Sequence, residues 1–251
     1  MIKALLMVTM WSTLAFAQTS FESPLPEVKQ FNQAILVTVL NIQKSENNGW
    51  RDDFFKALVE GSDLALIQES VDKFPEYKFE DSLYINYFYK SWGSTDYNTG
   101  LSSLSKVPFD EAKRLVSPDT EPVSATPKVT SIETYSVKGL DKKLLVANIH
   151  AINFTGLSAF KRQISAVAKE LKKHDGPMVW AGDFNTWSGR RKQYLDSIMK
   201  ELGFKEVLFD KRSEFFLELD HVYVRGAKVR YAEQLQVGIS DHEPLQFTLE
   251  F

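Results

Sequence analysis

The sequence predicts an α/β domain, and three observations carry that expectation. Short apolar, β-branched runs recur along the chain, and most of them stop at a polar residue. Between several of them lie stretches with apolar residues at helical spacing, closed by glycine. No internal repeat, low-complexity tract or linker composition breaks the alternation, so residues 18–251 are expected to form one domain.

The first residues stand apart. Lys3 is the only charge before a mostly apolar run from Ala4 to Phe16, and Ala15-Phe16-Ala17 precedes Gln18. That is the pattern of an export signal, here residues 1–17, cleaved after Ala17; the alternative is an uncleaved anchor or a buried helix. A periplasmic or secreted protein is expected, and no other segment is long and apolar enough to span a membrane. After a polar lead-in, Ala34 to Leu40 reads as a strand tipped by Asn41. Trp50 to Glu60 places Phe54 with Leu58 and Phe55 with Val59, a helix stopped by Gly61. Asp63 to Glu69 is a second strand, ending in a carboxylate.

An aromatic-rich segment with Tyr84, Tyr87, Phe88, Tyr89, Trp92 and Tyr97 leads into a hairpin element over Asn98–Ser105. Most of these rings are expected in the core, with Tyr97 beside the turn as the exception. Pro108, Pro118, Pro122 and Pro127 mark residues 109–128 as an excursion over the surface. Val129–Val137 and Leu144–His150 read as strands, the second with a polar tip. Phe160, Ile164, Val167, Ala168 and Leu171 trace an amphipathic helix ending near Gly176. Met178 to Asp183 is again a strand. Ser188 caps a helix carrying Tyr194, Leu195, Ile198 and Leu202 and stopped by Gly203. Short strand-like runs follow over Phe204–Leu208 and Leu219–Val224, and the chain closes with Leu245–Phe251.

Hydrophobic content of 43% and charged content of 25% are those of an ordinary globular protein. With no cysteine, disulfides, thiolate metal sites and lipid attachment to cysteine are excluded. A net charge of −3 provides no global basic field. A nuclease can still be acidic overall where metal ions and a local basic rim offset the phosphates.

Function concentrates at the strand tips. In Gly182-Asp183-Phe184-Asn185 the alternation of side chains puts Asp183 and Asn185 on one side, a carboxylate and a carboxamide aimed at one spot. Taken alone the tetrapeptide is equally well a polar turn. Asn41, Glu69, His150, Asp183 with Asn185, and Asp241 with His242 all stand at strand ends or beside them, and Asp220 borders another strand. Together they supply hard oxygen ligands suited to Mg²⁺ or Ca²⁺, and imidazoles for phosphate.

These segments resemble the endonuclease/exonuclease/phosphatase superfamily, whose best known secreted member is DNase I. The resemblance rests on Leu40-Asn41-Ile42, Leu66-Ile67-Gln68-Glu69, Thr99-Gly100-Leu101 through Leu104-Ser105-Lys106, and Asn148-Ile149-His150. It continues in Gly182-Asp183-Phe184-Asn185, Leu219-Asp220-His221-Val222 and Ser240-Asp241-His242-Glu243-Pro244, in the family's order. Asn185-Thr186-Trp187-Ser188 and Thr126-Pro127-Lys128 are most similar to the YafD-like bacterial branch. The family fold so implied is a DNase I-like four-layered α/β sandwich of two packed mixed sheets flanked by helices.

The resemblance also implies roles. Glu69 would be the main metal ligand, with Asn41 and Asp241 near it, for Mg²⁺ with Mn²⁺ or Ca²⁺ as alternatives. Asp183 would orient or deprotonate water, and Asn185 would hold a phosphate oxygen. Asp220 would fix His242, and His242 and His150 would contact the phosphate. His150-Ala151-Ile152-Asn153 departs from the Tyr-x-Pro-Asn pattern of the abasic-site endonucleases and is similar to the DNase I and sphingomyelinase branches. The expectation is an exported metal-dependent phosphodiesterase, a nuclease acting on DNA or RNA. Phospholipid, sphingomyelin or another small phosphodiester is the alternative, and a non-catalytic binding protein of this fold is a further one. Tyr97, Trp187, Arg190 and Arg191 are expected at the mouth of the site as substrate contacts. No stable protein partner is implied, and a monomer is expected.

Overall fold

A computed structural model describes residues 18–19, 28–45, 61–72, 85–93, 96–210, 218–236 and 240–251. The export signal expected over 1–17 and the helix expected over 50–60 lie outside the described residues.

The strands are β1 (Gln18–Thr19), β2 (Ala34–Asn41), β3 (Leu64–Val71), β4 (Ile85–Gly93), β5 (Asn98–Ser105), β6 (Glu111–Thr120) and β7 (Pro127–Tyr135). After β8 (Leu144–His150) come α1 (Leu157–Leu171), β9 (Met178–Asp183), α2 (Gly189–Leu202), β10 (Lys205–Glu206), β11 (Asp220–Arg225), β12 (Lys228–Gln234) and β13 (Leu245–Glu250). They form a seven-stranded sheet ordered β1-β4-β5-β3-β2-β13-β12 and a six-stranded sheet ordered β10-β11-β9-β8-β7-β6. Each is mixed, with one parallel pair: β2 with β3, and β8 with β9.

The sheets pack face to face. Val37 and Val39 of β2 and Leu64 and Leu66 of β3 meet Val146, Val179, Ala181 and Val222 of the other sheet. Along β9 the alternate residues, Met178 and Trp180, point outward and pack with Phe160, Ile164, Val167, Leu195 and Met199 of the two helices. Both faces of β9 are therefore buried, which is why its sequence reads as an unbroken apolar run. Ser188 caps α2 by accepting the Arg191 backbone N–H at 3.4 Å, and Gly203 ends it in the left-handed conformation at φ +75°. Two packed mixed sheets with helices on an outer face make the α/β sandwich that the resemblance implies.

Three elements differ from expectation, the shortest being β1, two residues of the polar lead-in that pair with β4. Residues 109–128 are not simply a surface excursion, because β6 lies within them and pairs with β7. Pro118 is tolerated there because β6 is an edge strand and the pairing is irregular between Val116 and Thr120. Strand β12 is unanticipated; it too is an edge strand, and with no residue of it fully buried it has no alternation to read.

Candidate active site

Parallel pairing gathers the polar tips. Asn41 lies level with Gln68, and His150 level with Asp183, so two parallel pairs end at the same rim of the sandwich. Antiparallel β11 begins there, with Asp220 opposite Asp183. The last loop reaches the rim through Ser240, whose Oγ donates to the Asn41 carbonyl at 2.6 Å and accepts the His242 N–H at 3.2 Å.

Three backbone features set the aim of the side chains. Gly182 has φ +132°, and a Cβ there would lie 2.1 Å from the Ile149 carbonyl oxygen, so only glycine lets β9 approach β8 this closely. Glu69 is left unpaired where the β3–β5 register shifts between Gln68 and Ser70, and it has φ +52°. Such a bulge turns a side chain out of the sheet's alternation, at a local cost of about 1–3 kcal/mol. Asn185 has φ +50° and is held by its own neighbours. Its backbone N–H donates to Asp183 Oδ1 at 2.8 Å, and its Nδ2 donates to the Ala151 carbonyl at 2.9 Å and Asp183 Oδ2 at 3.2 Å.

Asp183 is the hub. Its Oδ2 also accepts from Asn41 Nδ2 at 3.1 Å and lies 3.5 Å from His150 Nε2. Burial, followed by the Asp220 charge, pushes the Asp183 carboxyl up to about 7, against the pull of His242 and the Asn185 and Asn41 hydrogen bonds. The two active-site imidazoles are set in opposite states. Burial, followed by the Lys128, His242 and Lys44 charges, holds His150 well below the ordinary imidazole range, so it is neutral. For His242 burial works the same way but is outweighed by carboxylates. Asp220 Oδ2 accepts from its Nδ1 at 2.6 Å, and Asp183 and Asp241 lie beyond, so His242 is raised to about 10 and is a cation. Glu69 faces both His150, at 3.8 Å, and the Lys44 ammonium, at 3.5 Å.

The donor chemistry fits a hard divalent cation. Glu69, Asp183, Asp220 and Asp241 bring four carboxylates to one rim, and the buried Oδ1 of Asp220 has no hydrogen-bond partner. Among the described residues Asp183, Asp220 and His242 have donor atoms within 4.8 Å of one another. Because Asp220 holds His242 Nδ1 through a proton, this trio reads as an oriented imidazole and not as a ligand set. Glu69 and Asp241 belong to no such close group, and the Asp241 side chain is 58% exposed. A second group, Glu206, Glu218 and His221, has no free ring nitrogen. Nδ1 of His221 meets Glu206 Oε1 at 2.7 Å and Nε2 meets Thr186 Oγ1 at 2.7 Å.

The residues expected as substrate contacts divide. Tyr97 lines a cleft beside Glu69 and His150. Trp187 is 40% exposed, and Arg190 is exposed at the start of α2. Arg191 corrects the expectation, since it is 1% exposed and cannot meet a substrate. Its Nη1 donates to the carbonyls of Ile152 at 2.8 Å and Asn185 at 3.0 Å, and its Nη2 to the Thr155 carbonyl at 2.9 Å. The guanidinium lies between the rings of Trp187 and Phe160, 4.6 and 4.7 Å from their centroids. It therefore clamps the loop after His150 to the loop carrying Asn185.

Sequence reasoning missed two other clamps. Gln163 accepts the Ile152 N–H at 2.7 Å and donates to the His150 carbonyl at 3.2 Å. Its signal was a polar residue on the apolar face of α1. Thr186 donates to the Glu218 carbonyl at 2.6 Å and its hydroxyl meets Nε2 of the buried His221 at 2.7 Å, while Nδ1 of that ring meets Glu206 Oε1 at 2.7 Å, so the loop after β9 is tied to β11 and β10. Nothing in the local sequence marks that network.

Comparison with known proteins agrees with this arrangement. The model of the endonuclease/exonuclease/phosphatase family matches residues 39–242. A UPF0294 protein of Vibrio campbellii is 33% identical over 237 residues, 89% of this chain and 81% of the relative. Among solved structures, an endonuclease/exonuclease/phosphatase of Beutenbergia cavernae superimposes with a TM-score of 0.70 at 16% identity, covering 87% of this chain and 72% of that one. A mannosyl-6-phosphatase of Bacteroides thetaiotaomicron gives 0.67 at 17% identity, over 86% of this chain and 100% of its own. With the matched stretch running from β2 to His242, through every strand tip that meets at the rim, this chain belongs to the endonuclease/exonuclease/phosphatase family, in its UPF0294 (YafD-like) branch.

Proposed function

We propose that this chain is an exported phosphodiesterase that works with a divalent metal, Mg²⁺ in the first place, and that it hydrolyses DNA or RNA. The observation that supports this most directly is the pairing of opposite tasks around one spot. Asp183 and His242, the latter held by Asp220 at 2.6 Å, bring donor atoms within 4.8 Å of one another, and there burial and the Asp220 charge raise the Asp183 carboxyl while Asp220 keeps His242 protonated against its burial. Groups pushed apart in this way can serve as base and acid at the same pH.

In the proposed reaction a water oxygen bonds to phosphorus while the ester P–O bond breaks. Asp183 takes the proton from the water. His242, held by Asp220, gives a proton to the departing ester oxygen and places a positive charge beside the phosphate. Neutral His150 contacts a non-bridging oxygen, and Asn185 donates to another by turning its Nδ2 proton from Asp183 Oδ2, its longer bond at 3.2 Å, to the phosphate. A cation bound by Glu69, with Asn41 and Asp241 as further oxygen donors, would neutralise phosphate charge and act as a Lewis acid.

The test is to incubate the protein lacking residues 1–17 with plasmid DNA, RNA and sphingomyelin, each with Mg²⁺ and with EDTA. Metal-dependent cleavage of a nucleic acid is the expected result. Cleavage of sphingomyelin alone would transfer the reading to lipid, and no cleavage of any substrate would leave a binding protein of this fold. Export is tested separately by fractionating the cells that express the full chain.

A further inference from the structure

The chemistry above leaves one side of the site unused. Beside Glu69 and His150 opens a cleft of about 340 Å³. It forms where the β4–β5 hairpin of one sheet meets the β6–β7 hairpin of the other, joined by Ser91 Oγ donating to the Pro127 carbonyl at 2.6 Å. Leu101 and Val129, both buried, make its floor. Trp92 and Tyr97 stand at its sides, and Lys44 and Lys128 bring two cations to it. Gly100 permits the shape, because a Cβ there would lie 2.0 Å from the Tyr89 carbonyl oxygen.

Three properties select the ligand class. A cleft of this volume is at the small end of ligand pockets, with room for one ring system and its substituent. A duplex would have to give up a base from its stack to use it. Two aromatic side chains over an apolar floor suit the face of a flat π system. A hexose instead needs carboxylates or amides for its adjacent hydroxyls. Among the described residues, the one carboxylate lining the cleft apart from Glu69 is Glu121, and it is engaged by Lys128 at 3.4 Å and by the Asn153 N–H at 3.0 Å.

Resting on the hydrolase reading above, we propose that this cleft receives a single nucleobase, the one carried on the scissile phosphate, stacked against Trp92 and Tyr97 with Lys128 beside its anionic oxygens. The substrate is then a nucleotide unit at a single-stranded end or in a free nucleotide ester. Lys44 and Lys128, which face Glu69 at 3.5 Å and Glu121 at 3.4 Å, place positive charge where such a unit carries its anion, and the same two charges help to keep His150 neutral.

Three diesters with one leaving group, p-nitrophenolate, test this in Mg²⁺: the methyl, thymidine 5′- and hexose 6-phosphate esters. The thymidyl ester is expected to exceed the methyl ester by about tenfold in kcat/KM, the scale of one stacked base. Trp92→Ala and Tyr97→Ala should each lower that ratio severalfold, and Trp92→Phe should keep most of it. A ratio near one, a hexose ester as good as the thymidyl ester, or equal losses on all three esters would overturn the proposal. A 5′-labelled single-stranded oligonucleotide separates the two sources. Stepwise shortening assigns the cleft to a strand end, and thymidyl ester hydrolysis without shortening assigns it to a free nucleotide. If none of the three esters is hydrolysed, the hydrolase reading fails by itself. The cleft is then tested by calorimetric titration of thymidine 5′-monophosphate. Binding weakened about tenfold by Trp92→Ala supports the cleft, and absent or unchanged binding overturns it.

Discussion

Replacing Arg191 with alanine tests whether a buried cation, and not a surface one, holds this site together. The substitution removes the donors to the Ile152, Asn185 and Thr155 carbonyls. Ile152 and Asn185 are themselves buried, at 0% and 2% exposure, so two carbonyls lose their partner where water has little access. At roughly 1–3 kcal/mol for each orphaned group, partly relieved by water entering the space, the loss is about 3–4 kcal/mol. Removing the contacts with Trp187 and Phe160 adds up to about 1 kcal/mol. A protein of this size should then melt about 8–15 °C lower. Because the clamp joins the loop after His150 to the carbonyl of Asn185, kcat on a small chromogenic diester should fall about 100-fold, the penalty of an ångström-scale misplacement. Arg191→Lys keeps the charge, but its single nitrogen cannot span acceptors that the guanidinium reaches from both Nη1 and Nη2, so it should be intermediate in both measurements. Melting curves and steady-state kinetics on the two variants suffice. An unchanged melting temperature with loss confined to KM on long nucleic acid would refute this reasoning and return Arg191 to the substrate.

The remaining predictions are more local. Glu69→Gln should fold normally, by circular dichroism and melting, yet lose most activity at saturating Mg²⁺; a wild-type rate would remove Glu69 from the metal site. Asp220→Asn and His242→Ala should each be severe, and the double variant little worse than either, because the pair acts as a unit. The rate should rise as pH climbs through the Asp183 value near 7, where the base loses its proton, and fall as pH passes the His242 value near 10, where the acid loses its own. Asp220→Asn removes the partner that raises His242, so its residual activity should fall at lower pH; an unmoved alkaline limb would disprove the assignment. Gly182→Ala should cost more than about 2 kcal/mol in urea melts, since the added methyl must push β9 off β8.

Much of the site is legible in the chain because the same pattern recurs. An apolar run stops, and a group able to bind metal or phosphate stands at or beside the stop, as at Asn41, His150 and Asp183. Only parallel and antiparallel register makes those tips neighbours. The edge strands carry the weakest signal: β12 lacks an alternating pattern, and β6 carries a proline that only an edge tolerates.

What the sequence by itself determined is the inventory: the strand tips, the Asp183-Phe184-Asn185 alternation, the caps of α2, and the carboxylates and imidazoles available to the chemistry. What only the tertiary structure decided is their state and aim. The bulge that turns Glu69 depends on its pairing with β5, and the sorting of two imidazoles into neutral His150 and cationic His242 depends on different surrounding charges. Arg191, expected at the mouth of the site as a substrate contact, is buried where two loops close over it. The physical reason is range. Periodicity and capping are properties of a few adjacent residues, whereas burial and electrostatic shifts are set by groups such as Asn41 and Asp183, which meet across 142 residues of chain.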